Sequence, residues 1–166
     1  MSLVPSLIVL GVAAILAARL TVVRRSPPEA EAARRLAAHA LAAAATVQGL
    51  HFLEETATGF RTHLGGVFGL PAMPLAFFLT FNLAWLAVWA ASVPAMRRGY
   101  TAGFFAAWFL AIAGMLNGVL HPALAVAVGG YFPGLISSPA IAAASVWLWI
   151  RLRRATESLE PIGSHV

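Results

Sequence analysis

The chain has 166 residues, of which 60% are hydrophobic and only 10% charged, with a mean hydropathy of +0.83. Soluble domains carry roughly 25% charged residues, so this composition cannot clothe a globule in polar surface. Cys is absent, which excludes disulfides, thiolate catalysis and Cys-based metal sites; the basic excess is all Arg and sits beside apolar runs, which reads as topology and lipid-headgroup charge and not as a nucleic-acid footprint.

Several apolar runs reach the ~18–20 residues that cross a ~30 Å hydrocarbon layer. They are rich in Ala and Leu and lack period-two alternation, so helices are expected, not barrel strands. The fold class expected is all-α, a polytopic transmembrane bundle of five helices in one domain, 1–154, with an unstructured cytoplasmic tail over 155–166. The first span is 3–23. It has no basic residues ahead of its apolar run, and Arg24 and Arg25 follow it, which argues against a signal peptide. A Ser26-Pro27-Pro28 break and the acids Glu29 and Glu31 lead into the second span, 36–57. The third is 74–94, closed by Arg97 and Arg98. The fourth is 101–121, with Pro122 as the expected stop, and the fifth is 135–150, followed by Arg151, Arg153 and Arg154. Arginines therefore gather on alternate loops. By the positive-inside rule the amino terminus lies outside the cell membrane and the carboxyl terminus in the cytoplasm.

The second span carries residues foreign to lipid. Taking His51 as zero at ~100° per residue, Gln48, Glu54, Glu55 and Thr58 fall at about +60°, −60°, +40° and −20°, on one face. An acid at a membrane centre costs about 2.5–3.5 kcal/mol on insertion scales, so such residues face a bundle interior and mark function. Depth brings partners. At ~1.5 Å per residue, His51 and Glu55 lie about 22 and 28 Å above the inner end of their helix, while Asn117 and His121 lie about 24 and 30 Å up the fourth. Asn117 and His121 share a face, and Gly114 and Gly118 beside them admit close approach of another backbone. Asn82, about 12 Å below the outer surface, either faces the same pocket or makes a lone interhelical hydrogen bond. Arg61 and His63 follow the cluster, and Arg61 reads first as a solvated loop charge. His39 reads as structural. Trp85 and Trp108 are the tryptophans at ligand depth. The segment 122–134 has no charge and is placed to dip over the site as a lid.

His51-Phe52-Leu53-Glu54-Glu55, the second histidine at His121 and Tyr131-Phe132-Pro133-Gly134 together resemble the HXXEE-domain family, over residues 40–140 and with all three elements in order. The resemblance implies that His51, Glu54, Glu55, His121, Tyr131, Pro133 and Gly134 are site residues of a membrane protein; it supplies no reaction.

The cluster itself points to a membrane enzyme acting on a lipid or isoprenoid, with His51, Glu54, Glu55 and His121 catalytic and Gln48, Asn82, Asn117 and Tyr131 binding substrate. In a metal-free form, Glu54 or Glu55 donates a proton and His51 or His121 returns it, as an isomerase or cyclase requires. In a metal form, His51, Glu54, Glu55 and His121 hold a divalent cation, Zn, Fe or Mn. The alternative is a proton-coupled carrier or a lipid-binding subunit. The partners expected are membrane lipid and a hydrophobic small molecule, with no nucleic acid.

Overall fold

The computed structural model describes residues 4–158. The chain is all-α: α1 (Val4–Val23), a 3-10 turn (Pro28–Ala30), α2 (Glu31–Thr58), α3 (Phe60–Val67), α4 (Leu75–Arg97), α5 (Thr101–Ala127) and α6 (Ser138–Ala155). Two residue pairs, β1 (Arg24–Arg25) and β2 (Glu157–Ser158), meet as a minimal antiparallel clip. Four segments are long and apolar enough to cross a membrane: α1, the 3-10 turn with α2, α4 and α5. Leu7, Ile8, Ile15, Val119 and Val126 turn outward on these helices, as lipid-facing residues do. The chain is an integral membrane protein.

Helix α6, the fifth expected span, has 18 residues and falls short of the other four. Its apolar stretch, 138–150, is about 20 Å long at ~1.5 Å per residue before Arg151. The segment 135–137, expected inside that span, is instead a turn ahead of the helix. A further helix, α3, occupies part of what reads as loop between the second and third spans. The tail expected to be unstructured from 155 begins ordered: Ala155 ends α6, and Glu157 pairs with Arg25. The remainder, 159–166, lies outside the described residues.

Pro122 does not stop α5, which continues to Ala127. A proline forfeits one i→i−4 hydrogen bond and crowds the carbonyl four residues back. Here that carbonyl belongs to Gly118, on a helix wedged between neighbours, and packing sustains the helix through the defect.

The core follows from small residues. Ala13 and Ala17 of α1 and Ala37, Ala38, Ala40 and Ala44 of α2 are fully buried, with Ala107 and Ala111 of α5 among them. α5 packs on α1, α4 and α6, and α2 packs on α4 and α6. The expected close approach along α5 is present. A Cβ at Gly114 would overlap Ser145 Oγ, and one at Gly118 would overlap Ala142 Cβ, so α6 lies against these two glycines. Trp89 Nε1 donates to Ala106 O at 3.0 Å, tying α4 to α5. At the arginine-rich end, buried Arg34 donates to Ser26 Oγ, Pro27 O and Pro28 O, collecting carbonyls that the proline break leaves open. Arg24 donates to Thr156 O at 2.6 Å and to Arg153 O, which sets the end of α1 beside the end of α6.

Candidate functional site

The unusual chemistry lies at the opposite end, where α2 and α5 finish and α6 begins. α2 stops at Gly59, whose φ of 80° is left-handed and whose N–H caps Glu55 O. Because the helix runs without a break to Thr58, His51 and Glu55 stand one turn apart on its buried face. Glu55 Oε1 lies 3.5 Å from His51 Nε2 and 3.5 Å from His121 Nε2, which α5 supplies. All three side chains are buried, and one ligand atom from each falls within 4.8 Å of the others. The two imidazoles meet edge to face, with centroids 4.7 Å apart.

The outer nitrogens fix the tautomers. His121 Nδ1 sits 2.7 Å from Pro133 O. A carbonyl only accepts, so Nδ1 carries a proton and, in the neutral ring, Nε2 presents a lone pair. His51 Nδ1 sits 2.7 Å from Ser137 Oγ. That hydroxyl spends its own proton on Glu54 Oε2 in a short hydrogen bond, so it accepts from His51. His51 Nε2 therefore also presents a lone pair, and it is buried with no hydrogen-bond partner among the described residues. Two Nε2 atoms and one carboxyl oxygen thus converge in a buried space.

Glu54 stands apart from this set. Its carboxylate accepts from Tyr131 OH at 2.6 Å, Ile136 N at 3.0 Å, Ser137 N at 2.8 Å and Ser137 Oγ. The −60° position that seemed to flank His51 aims this side chain at the turn before α6, so it orients His51 through Ser137 and contributes no atom to the convergent set. Tyr131 likewise differs from its expected role. It is 45% exposed and binds Glu54, not the cavity. Burial and the Glu54 hydrogen bond raise its pKa.

The 128–137 turn is a wedge over the two histidines. Phe132 and Pro133 are fully buried, and Phe60 and Phe132 flank the His121 ring at 5.7 and 6.0 Å. Gly134 has φ +90°, and a Cβ there would overlap His121 Cε1 and come within 2.6 Å of His121 Nδ1 and 2.9 Å of His51 Cε1. Only glycine lets the turn approach so closely. Of the segment expected as a lid, 122–127 is helix and the part from 128 onward covers the site.

Beneath the histidines lies a cavity of about 220 Å³. Glu55 and His121 stand in its wall together with Gln48, Asn82 and Asn117, so the expected amides do meet there, amid Phe78, Phe81 and Trp85. Asn82 Nδ2 donates to Phe78 O within its own helix, leaving its carbonyl oxygen. The other residues weighed for the site lie elsewhere. Arg61 donates to Met73 O, His63 Nδ1 contacts Gly59 O, His39 is exposed, and Trp108 is a fully buried core residue against Trp149. Sequence reasoning missed Ser137 and Phe60. Ser137 carried one signal, its place ahead of Ser138-Pro139 where helices start.

Comparison with protein-family models, with curated proteins and with solved structures finds no match for this chain.

Proposed function

We propose that this protein is a membrane-embedded metalloenzyme in which His51, His121 and Glu55 hold a divalent cation that acts on a lipid oxygen. The observation that carries this is the convergence of two Nε2 atoms and one carboxyl oxygen, with each ring held at Nδ1 so that Nε2 faces Glu55. With both rings neutral and the carboxyl ionised, these atoms repel each other in a buried space unless a cation joins them. The 3.5 Å separations exceed the 2.7–3.2 Å of N–H···O hydrogen bonds. The two Glu55–histidine separations are close to the edge of a tetrahedron, about 3.4 Å, built on ~2.0–2.2 Å metal–ligand bonds, and the three ligand atoms all fall within 4.8 Å. Two histidines and one carboxylate leave a coordination position open, and Glu55 and His121 border the cavity through which substrate would reach it. Both histidines have oriented outer nitrogens, as metal-binding histidines do. A cation there would polarise a substrate oxygen as a Lewis acid.

The same equal spacing also suits a proton shared between Glu55 and the two imidazoles, which is the isomerase or cyclase form of the reading. A carrier is less well supported. The half of the bundle below the cavity is packed with fully buried Leu41, Met96, Trp108, Leu148 and Leu152, which oppose a polar path. Membership in the HXXEE-domain family belongs to this proposal, supported by the way His51, Glu54, Glu55, His121, Tyr131, Pro133 and Gly134 interlock in one unit. So does the five-span topology with the site in the outer half, supported by the arginines at one end and the clip joining the ends of α1 and α6.

The test is metal content by mass spectrometry of detergent-purified protein. One ion per chain is expected in the wild type, lost in His121→Ala and sharply reduced in Glu55→Gln. Wild-type protein that stays metal-free after supplementation with Zn, Fe and Mn would replace this reading with the proton-transfer form.

A further inference from the structure

The cavity's shape and lining say which lipids fit. Leu7 and Leu10 of α1 form one wall and Phe77, Phe81 and Trp85 of α4 another. These two helices pack separately on α5 and barely on each other. The gap between them therefore opens sideways, and exposed Leu7 and Phe77 flank it. A water-soluble substrate has no use for such a mouth, whereas a lipid already oriented in the bilayer can slide through it.

Size and charge narrow the class. At about 220 Å³ the cavity is smaller than the ~300–1,000 Å³ of pockets that enclose drug-sized ligands. A cavity of this size suits the head of a single hydrocarbon chain whose remainder extends out through the opening. Among the described residues no Arg lines it, and Glu55 is the only carboxyl in its wall. Phosphate and diphosphate heads are held chiefly by arginine or lysine side chains, and neither lines the cavity among the described residues. The side-chain amides of Gln48 and Asn117 face the cavity without a hydrogen bond to another described residue, ready for a neutral polar group.

We propose that the substrate is a single-chain lipid with an uncharged oxygen function, an alcohol, aldehyde or ester, which enters sideways between α1 and α4 and presents that oxygen to the site where Glu55 and His121 border the cavity. The proposal rests on the site reading above and adds the substrate class and its route.

The experiment uses the purified full-length protein in nanodiscs, with metal content measured on the same sample. A hexadecanol probe bearing a mid-chain diazirine is photolysed and its adducts are mapped by mass spectrometry. Adducts should concentrate on the cavity-facing residues of α1 and α4. Unlabelled hexadecanol at roughly ten times its Kd should lower the yield about tenfold by mass action, while cholesterol and hexadecyl phosphate leave it unchanged. Leu10→Trp, which fills the mouth, should lose these adducts while keeping the metal, which also reports that it has folded. Adducts spread evenly over lipid-facing residues, or equal competition by cholesterol or the phosphate, would overturn the proposal; these arms need no variant. Cavity labelling with alcohol selectivity in a protein that binds no metal would uphold the substrate class and remove the metal reading alone.

Discussion

Gly134→Ala is the smallest change that should dismantle the site. The substitution adds one methyl group, at a φ of +90°. Holding an L side chain in left-handed backbone costs roughly 1–2 kcal/mol. The methyl would also overlap the His121 ring and crowd His51 Cε1 at 2.9 Å. Neither ring can withdraw. His51 is held at Nδ1 by Ser137 and His121 by Pro133 O, both at 2.7 Å, with Phe60 and Phe132 against the second ring. Overpacking of this kind costs about 1–3 kcal/mol, so the total is about 2–5 kcal/mol, a large part of a typical ~5–15 kcal/mol stability. Any relief comes from moving one of the rings, which parts the Nε2 atoms from Glu55. The assay is thermal unfolding in detergent, paired with metal content. Gly130→Ala is the control, since it has open space around its Cβ position and should stay within about 0.5 kcal/mol of wild type. Gly134→Ala with wild-type stability and full metal content would refute the close approach on which the geometry of the site depends.

Ser137→Ala removes the hydroxyl that links Glu54 to His51, and metal affinity should fall about 10–100-fold without the ion being abolished, as titration with a competing chelator would read. Tyr131 has a folded pKa raised by burial and by Glu54, so its stabilisation is complete below the unfolded value of about 10 and is lost as pH rises through the higher folded value. Tyr131→Phe should therefore erase one component of alkaline destabilisation, and tyrosinate absorbance should show the corresponding late titration in the wild type only. Tags at Ser2 and Val166 should report opposite sides of the membrane, with Val166 cytoplasmic, in a protease-protection assay; both on one side would end the five-span topology.

Much of the architecture is dictated by local chemistry. Long Ala- and Leu-rich runs must become helices because lipid offers no partner for backbone groups, and α1, α2, α4 and α5 lie where the apolar runs are. Gly114 and Gly118 marked a close helix approach, since a missing Cβ is visible in any sequence, though only the fold names α6 as the partner. Helical periodicity likewise placed His51 and Glu55 on one face. Three features depended on the fold. Pro122 reads as a stop, yet α5 passes through it because neighbouring helices hold the chain there. Glu54 and Glu55 are equivalent in sequence, adjacent and both foreign to lipid. They diverge because successive helix positions point ~100° apart, so one meets two imidazoles while the other meets Tyr131 and the turn before α6. The state of the histidines depends on Pro133 O and Ser137 Oγ, acceptors 12 and 86 residues away along the chain. Composition and periodicity act through near neighbours and could reveal that a polar site exists. Which atoms face one another within it is decided by contacts distant in sequence, which only the packed chain supplies.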